Sequence, residues 1–130
     1  MTRIPTPEKI IEFNLLVLEL IKVKKADQTK VLSRAKIKQV LEDCSNVKGD
    51  IYDKAMVLLK GLVQKHPFAS GNRRTAFIAT RYFVETNKAK LKVENKEENA
   101  KILLGIRENY YSDDEIKEWI KNGKIREFKR

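Results

Sequence analysis

The chain has 130 residues, 42% of them hydrophobic, and carries 28 Lys+Arg against 18 Asp+Glu for a formal net charge of +10. That length suits one domain over residues 1–130 with a single core, and the apolar content excludes a disordered chain. No apolar run reaches the ~18 residues of a membrane span, no signal-peptide core follows Met1-Thr2-Arg3, and the lone Cys44 cannot form an internal disulfide. The expected location is therefore the cytoplasm, with no membrane partner. Residues 1–65 hold 13 Lys+Arg against 8 Asp+Glu, and residues 66–130 hold 15 against 10, so no tail accounts for the charge. A diffuse basic surface favours anionic partners in general and names none.

Helical periodicity dominates. Thr6-Pro7 reads as an N-cap and first turn, followed by an apolar face of Ile10, Ile11, Leu15, Leu18 and Ile21. Lys22, Lys24 and Lys25 suit a solvated helix end, and Ala26 to Leu32 has room for an extended segment. Ser33 is a cap for a second helix with Ile37, Val40, Leu41 and Cys44 at helical spacing. After Gly49-Asp50, a third helix carries Ile51, Ala55, Leu58, Leu59 and Leu62, with Met56, Val57 and Val63 making it apolar nearly all round. Such a helix belongs at the centre of a bundle. Pro67 stops it at His66.

A fourth helix is predicted from near Gly71 to about Asn87, burying Ala76, Phe77, Ala79, Thr80, Phe83 and Val84. Asn95-Lys96-Glu97-Glu98 reads as a cap and acidic first turn for a fifth helix with Ala100, Leu103 and Leu104. Ser112-Asp113-Asp114-Glu115 has capping-box spacing and opens a sixth helix, which carries Ile116, Trp119 and Ile120 and ends at Gly123. Ile125 to Phe128 reads as a short strand. The expected fold is all-α, a compact bundle of about six helices.

The loop between the two central helices carries the chemistry. It reads His66-Pro67-Phe68-Ala69-Ser70-Gly71-Asn72-Arg73-Arg74 and contains the single histidine of the chain. Histidine is the usual general base near neutral pH. Pro67 sets the exit direction and Phe68 anchors the loop. Gly71 permits positive φ and close approach of a phosphate. The first amides of the fourth helix have no intrahelical acceptor and form an anion site. Asn72 adds a neutral donor, and Arg73 and Arg74 add cations whose forks match phosphate oxygens. Consecutive helical residues diverge by about 100 degrees, so one arginine, Arg74, is expected at the phosphate. Cations nearby should disfavour the protonated form of His66. On a purely structural reading, His66 is a helix C-cap, Ser70 an N-cap and the arginines surface charges.

These nine residues resemble the signature of the Fic/Doc (Fido) superfamily, His-x-Phe-x-Asp/Glu-Gly-Asn followed by Gly-Arg in Fic proteins or Lys-Arg in Doc proteins. The Doc branch is closer, because position 73 is basic and Thr75-Ala76 follows. Asp53-Lys54-Ala55, Gly61-Leu62-Val63, Phe83 to Asn87 and Tyr111 to Ile120 also resemble Doc proteins. The resemblance implies an all-α fold and transfer of a phosphoryl group, or in Fic enzymes usually AMP, from ATP to a protein hydroxyl. It implies His66 as base, Gly71, Asn72, Arg73 and Arg74 around the phosphates, and Mg²⁺ as the companion of ATP. It also implies a partner, an antitoxin or regulatory protein.

Ser70 replaces the acidic residue expected to help hold Mg²⁺, and Arg73 replaces the Doc lysine. A serine hydroxyl is a weak ligand beside a carboxylate. No Ser/Thr-x-x-x-Glu-Gly/Asn segment, the self-restraining element of many Fic proteins, is found, so restraint would come from another chain. The second reading is therefore an inactive relative that binds a nucleotide or a protein. A basic module for nucleic acid ranks below both, because the fourth helix is too apolar to lie exposed in a groove. Cys44, on an apolar stripe, and Trp119 read as core, and one histidine with one cysteine does not make a zinc site.

Overall fold

The computed structural model describes residues 2–20, 30–94 and 96–129. Among these residues it holds six helices and no strand: α1 Pro7–Leu20, α2 Arg34–Asn46, α3 Ile51–Lys65, α4 Asn72–Thr86, α5 Asn99–Arg107 and α6 Asp113–Asn122. None of the described helices is long and apolar enough to cross a membrane.

Local capping chemistry sets most helix starts. The Thr6 hydroxyl accepts from the Lys9 amide at 3.1 Å, and the Ser33 hydroxyl from the Lys36 amide at 3.2 Å. Asp50 with Asp53, and Ser112 with Glu115, form reciprocal capping boxes on α3 and α6. α5 differs from expectation. It begins at Asn99 rather than at Asn95, which lies outside the described residues, and Glu97-Glu98 form a turn before it. The Asn99 amide donates to the Lys96 carbonyl and its side chain to the Glu94 carbonyl, so this polar run closes a turn instead of opening a helix.

α3 packs against α4, α2, α6 and α5, while α1 lies on α4 and α2. Its near-continuous apolar surface is covered from several sides, as its composition requires. Gly61 permits the α2 contact, since a Cβ there would fall 2.8 Å from a methyl of Val40. On α1 the buried residues are Ile10, Phe13, Asn14, Val17 and Leu18. Leu15, expected on this face, is 47% exposed. It sits five positions after Ile10, out of the i, i+3, i+4, i+7, i+8 stripe. Ile21, Lys22, Lys24, Lys25 and residues 26–29 lie outside the described residues. Cys44 and Trp119 are core residues. The Cys44 thiol donates to the Lys54 carbonyl, and burial pushes its pKa up to about 11, which leaves it unreactive at neutral pH.

Residues 125–128 are not a strand. Side chains hold this segment: Tyr111 donates its hydroxyl to the Arg126 carbonyl at 2.9 Å, and Arg126 donates to the Tyr110 carbonyl at 2.8 Å. The Phe128 ring meets Tyr110 edge-on. A strand needs a backbone edge to pair with, and this end of the molecule offers helices.

Candidate active site

The loop from α3 to α4 is held from three directions. Val31 and Phe68 form an isolated antiparallel bridge. The amides of Leu32 and Ser33 both donate to the Pro67 carbonyl, at 2.8 and 3.1 Å, and the Ala69 amide donates to the Lys30 carbonyl at 2.9 Å. The Phe68 side chain is 1% exposed and anchors the loop in the core. Asn72 grips the same residue: its Oδ1 accepts from the Phe68 amide at 3.0 Å, and its Nδ2 donates to the Phe68 carbonyl at 2.8 Å. From α1, Asn14 Nδ2 donates to the Ser70 carbonyl at 2.9 Å and to the Thr75 hydroxyl at 3.1 Å.

His66 caps α3 in the left-handed region, φ 52 and ψ 58, a conformation that histidine tolerates better than most residues. Its side chain is exposed. Its pKa lies below the ordinary 6.5, first because of partial desolvation and then through repulsion by Arg107, Lys36 and Arg73. The direction matches expectation, but burial leads, and two of the three cations come from α5 and α2. As the only histidine, His66 gives a single imidazole signal. Its NMR titration should have a midpoint below 6.5, rising toward that value in Arg107→Gln. A midpoint above 6.5 would contradict this electrostatic picture.

Gly71, at φ 78, is the N-cap of α4, and among the described residues no side chain caps that helix. Ser70 is therefore not the cap that the structural reading assigned. A Cβ at Gly71 would come within 3.2 Å of Asn14 Nδ2 and of a Leu18 methyl, so α1 closes the loop from behind. The amides of Asn72, Arg73 and Arg74 have no backbone acceptor among the described residues. They form the positive end of a 15-residue helix. Arg73 and Arg74 are both exposed and diverge. Arg73 contributes to the field at His66, whereas Arg74 lines a groove with Val17, Leu20, Phe77, Ile78 and Arg81. That groove has a volume of about 570 Å³.

The loop contains no carboxylate. Among the described residues no group of three or more His, Cys, Asp and Glu is placed to hold a metal ion. Ser70 offers a hydroxyl only, its carbonyl being taken by Asn14. This donor set lacks the anionic oxygen that Mg²⁺ prefers from a protein, so it does not fit a protein-held ion.

Three residues escaped the sequence reading. Asn14 is 2% exposed, and a polar residue on the Ile10–Phe13–Val17 stripe was its available signal. Lys36 and Arg107 carried no local signal, because they reach the site only through tertiary packing.

No curated protein matches the sequence significantly. A model of the Fic/DOC family matches residues 8–84, from α1 through most of α4 and across the whole loop. With that match over more than half its length, the chain belongs to the Fic/DOC family.

Proposed function

We propose that this protein transfers the γ-phosphoryl group of ATP to a Ser, Thr or Tyr hydroxyl of another protein. The observation that carries this reading is the pairing of one histidine, held neutral, with the uncapped start of α4 across a locked loop. His66 removes the hydroxyl proton as the oxygen attacks the γ-phosphorus. The bond from that phosphorus to the bridging β–γ oxygen breaks, and ADP leaves with the electron pair. The imidazolium then returns its proton to water. The amides of Asn72, Arg73 and Arg74 and the Gly71 backbone receive the phosphates, and the two guanidiniums offset the charge that develops. Transfer of AMP is the runner-up. There the attack is on the α-phosphorus and pyrophosphate leaves. Arg73 in place of the Fic glycine favours the phosphoryl reading. Such activity calls for restraint, and the groove beside Arg74, which mixes Val17, Leu20 and Phe77 with Arg81, Lys96 and Glu97, suits an amphipathic helix of an antitoxin or regulatory protein.

The test is label transfer from ATP carrying label at the γ- or the α-phosphate, into proteins of a host lysate, each with a His66→Ala control. His66-dependent label from the γ position supports phosphoryl transfer. Label from the α position alone replaces it with adenylylation. The missing carboxylate favours a second reading, a relative that only binds nucleotide. Calorimetry of ADP binding separates the two: Ser70→Asp should add a Mg²⁺ dependence of about tenfold, the worth of one charge-assisted contact. Mg²⁺-dependent transfer by that variant alone would show that the native chain is silent for want of one ligand.

A further inference from the structure

Cations converge on His66 from helices far apart in sequence. The two amides donated to Pro67 fix the first turn of α2, which carries Lys36, beside the residue that follows the histidine. Gln64, near the end of α3, donates Nε2 to the Ile106 carbonyl at 2.9 Å and seats the last turn of α5, with Arg107, at the same end of the bundle. Both side chains are exposed. Neither has a carboxylate partner among the described residues, so both are open to an incoming anion. Arg73 and Arg74 are likewise without an ion pair among the described residues. The phosphates of a nucleotide account for the cations on α4. Lys36 and Arg107 stand on other helices, α2 and α5.

Resting on the transfer reading above, we propose that Lys36 and Arg107 select an acidic acceptor, a protein segment whose reacting hydroxyl is flanked by Asp or Glu. Flanking carboxylates at the first turn of α2 and the last turn of α5 would bring the hydroxyl to His66 and relieve the repulsion among the cations. Opposite charges at a docking rim raise the encounter rate and suppress neutral competitors. A nucleic acid fits less well. Single strands are held by exposed rings on which bases stack. Among the described residues the one exposed aromatic, Tyr82, lies on α4 against Phe13 and Lys9 of α1.

The test measures fluorescence anisotropy without ATP. The probes are a short labelled peptide with one serine among Asp and Glu, its Asn and Gln counterpart, and a single-stranded oligonucleotide of the same net charge. The acidic peptide should bind about tenfold tighter than the neutral one at low salt, an advantage that fades as salt rises. The Lys36→Gln/Arg107→Gln double variant should weaken it about fivefold, as expected for two exposed charge pairs. A Lys124→Gln/Lys129→Gln variant, of equal charge loss, should not. Equal binding of the two peptides, equal loss in both double variants, or a tighter oligonucleotide overturns the proposal. Because ATP is absent, failure of transfer leaves this result standing. Transfer that proceeds equally well to acidic and neutral peptides sinks the acceptor proposal alone.

Discussion

Replacing His66 with alanine is expected to lower transfer by about 10²–10⁴-fold, the usual contribution of a general base. Folding should survive, because the side chain is exposed and its loss opens no cavity. The backbone matters more. At φ 52, an alanine pays about 1 kcal/mol for the left-handed conformation. His66→Asn removes the base while tolerating that conformation, so it separates chemistry from strain. Both variants should lose transfer, and both should keep nucleotide binding, which falls to α4. His66→Asn should also melt close to the wild type. Transfer by His66→Asn at the wild-type rate would show that another group takes the proton. The pH profile gives an independent reading. A base needs its neutral form, and the pKa of His66 is lowered, so transfer should persist below pH 6.5 and fall only as the pH passes through that lowered value.

Replacing Asn72 with alanine is expected to cost about 2–6 kcal/mol of stability, since two buried groups of Phe68 each lose a partner worth about 1–3 kcal/mol when left unsatisfied. Asn72 is 5% exposed, so water does not easily replace the lost amide. The urea midpoint should fall at unchanged slope. Nucleotide affinity should fall with it, because the loop that presents the α4 amides would slacken. A side chain that served only as a phosphate ligand would behave otherwise, losing affinity with stability intact. A stability change under about 0.5 kcal/mol, typical of an ordinary surface site, would overturn the clamp.

Asn72 shows where reading the chain stopped. Its place in the loop read as a neutral side-chain donor to phosphate, and the resemblance implied the same role. The structure shows both ends of its amide engaged with Phe68. A hydrogen-bond partner is a matter of side-chain direction, and residue spacing does not encode direction. Ser70 was likewise an open choice between cap and ligand until Gly71 proved to be the cap. The two arginines diverge as helix geometry demands, because 100 degrees per residue is a local property.

What the sequence determined by itself was local or periodic. The capping residues Thr6, Ser33 and Ser112 mark helix starts through side chains that reach only two or three positions, and the Gly49-Asp50 break marks another. The apolar stripes of α2, α3, α4 and α6 identify the faces that must be covered. The loop from His66 to Arg74 is contiguous, so its chemistry was visible as a unit. Tertiary structure decided what lies between elements: that Leu15 faces solvent while Asn14 is buried against the loop, that residues 125–128 are held by side chains, and that Lys36 and Arg107 add to the field at His66. Periodicity says that a helix has a face to bury. Which neighbour buries it, and which distant charge comes with that neighbour, depends on how six helices share one core, and no window along the chain contains that information.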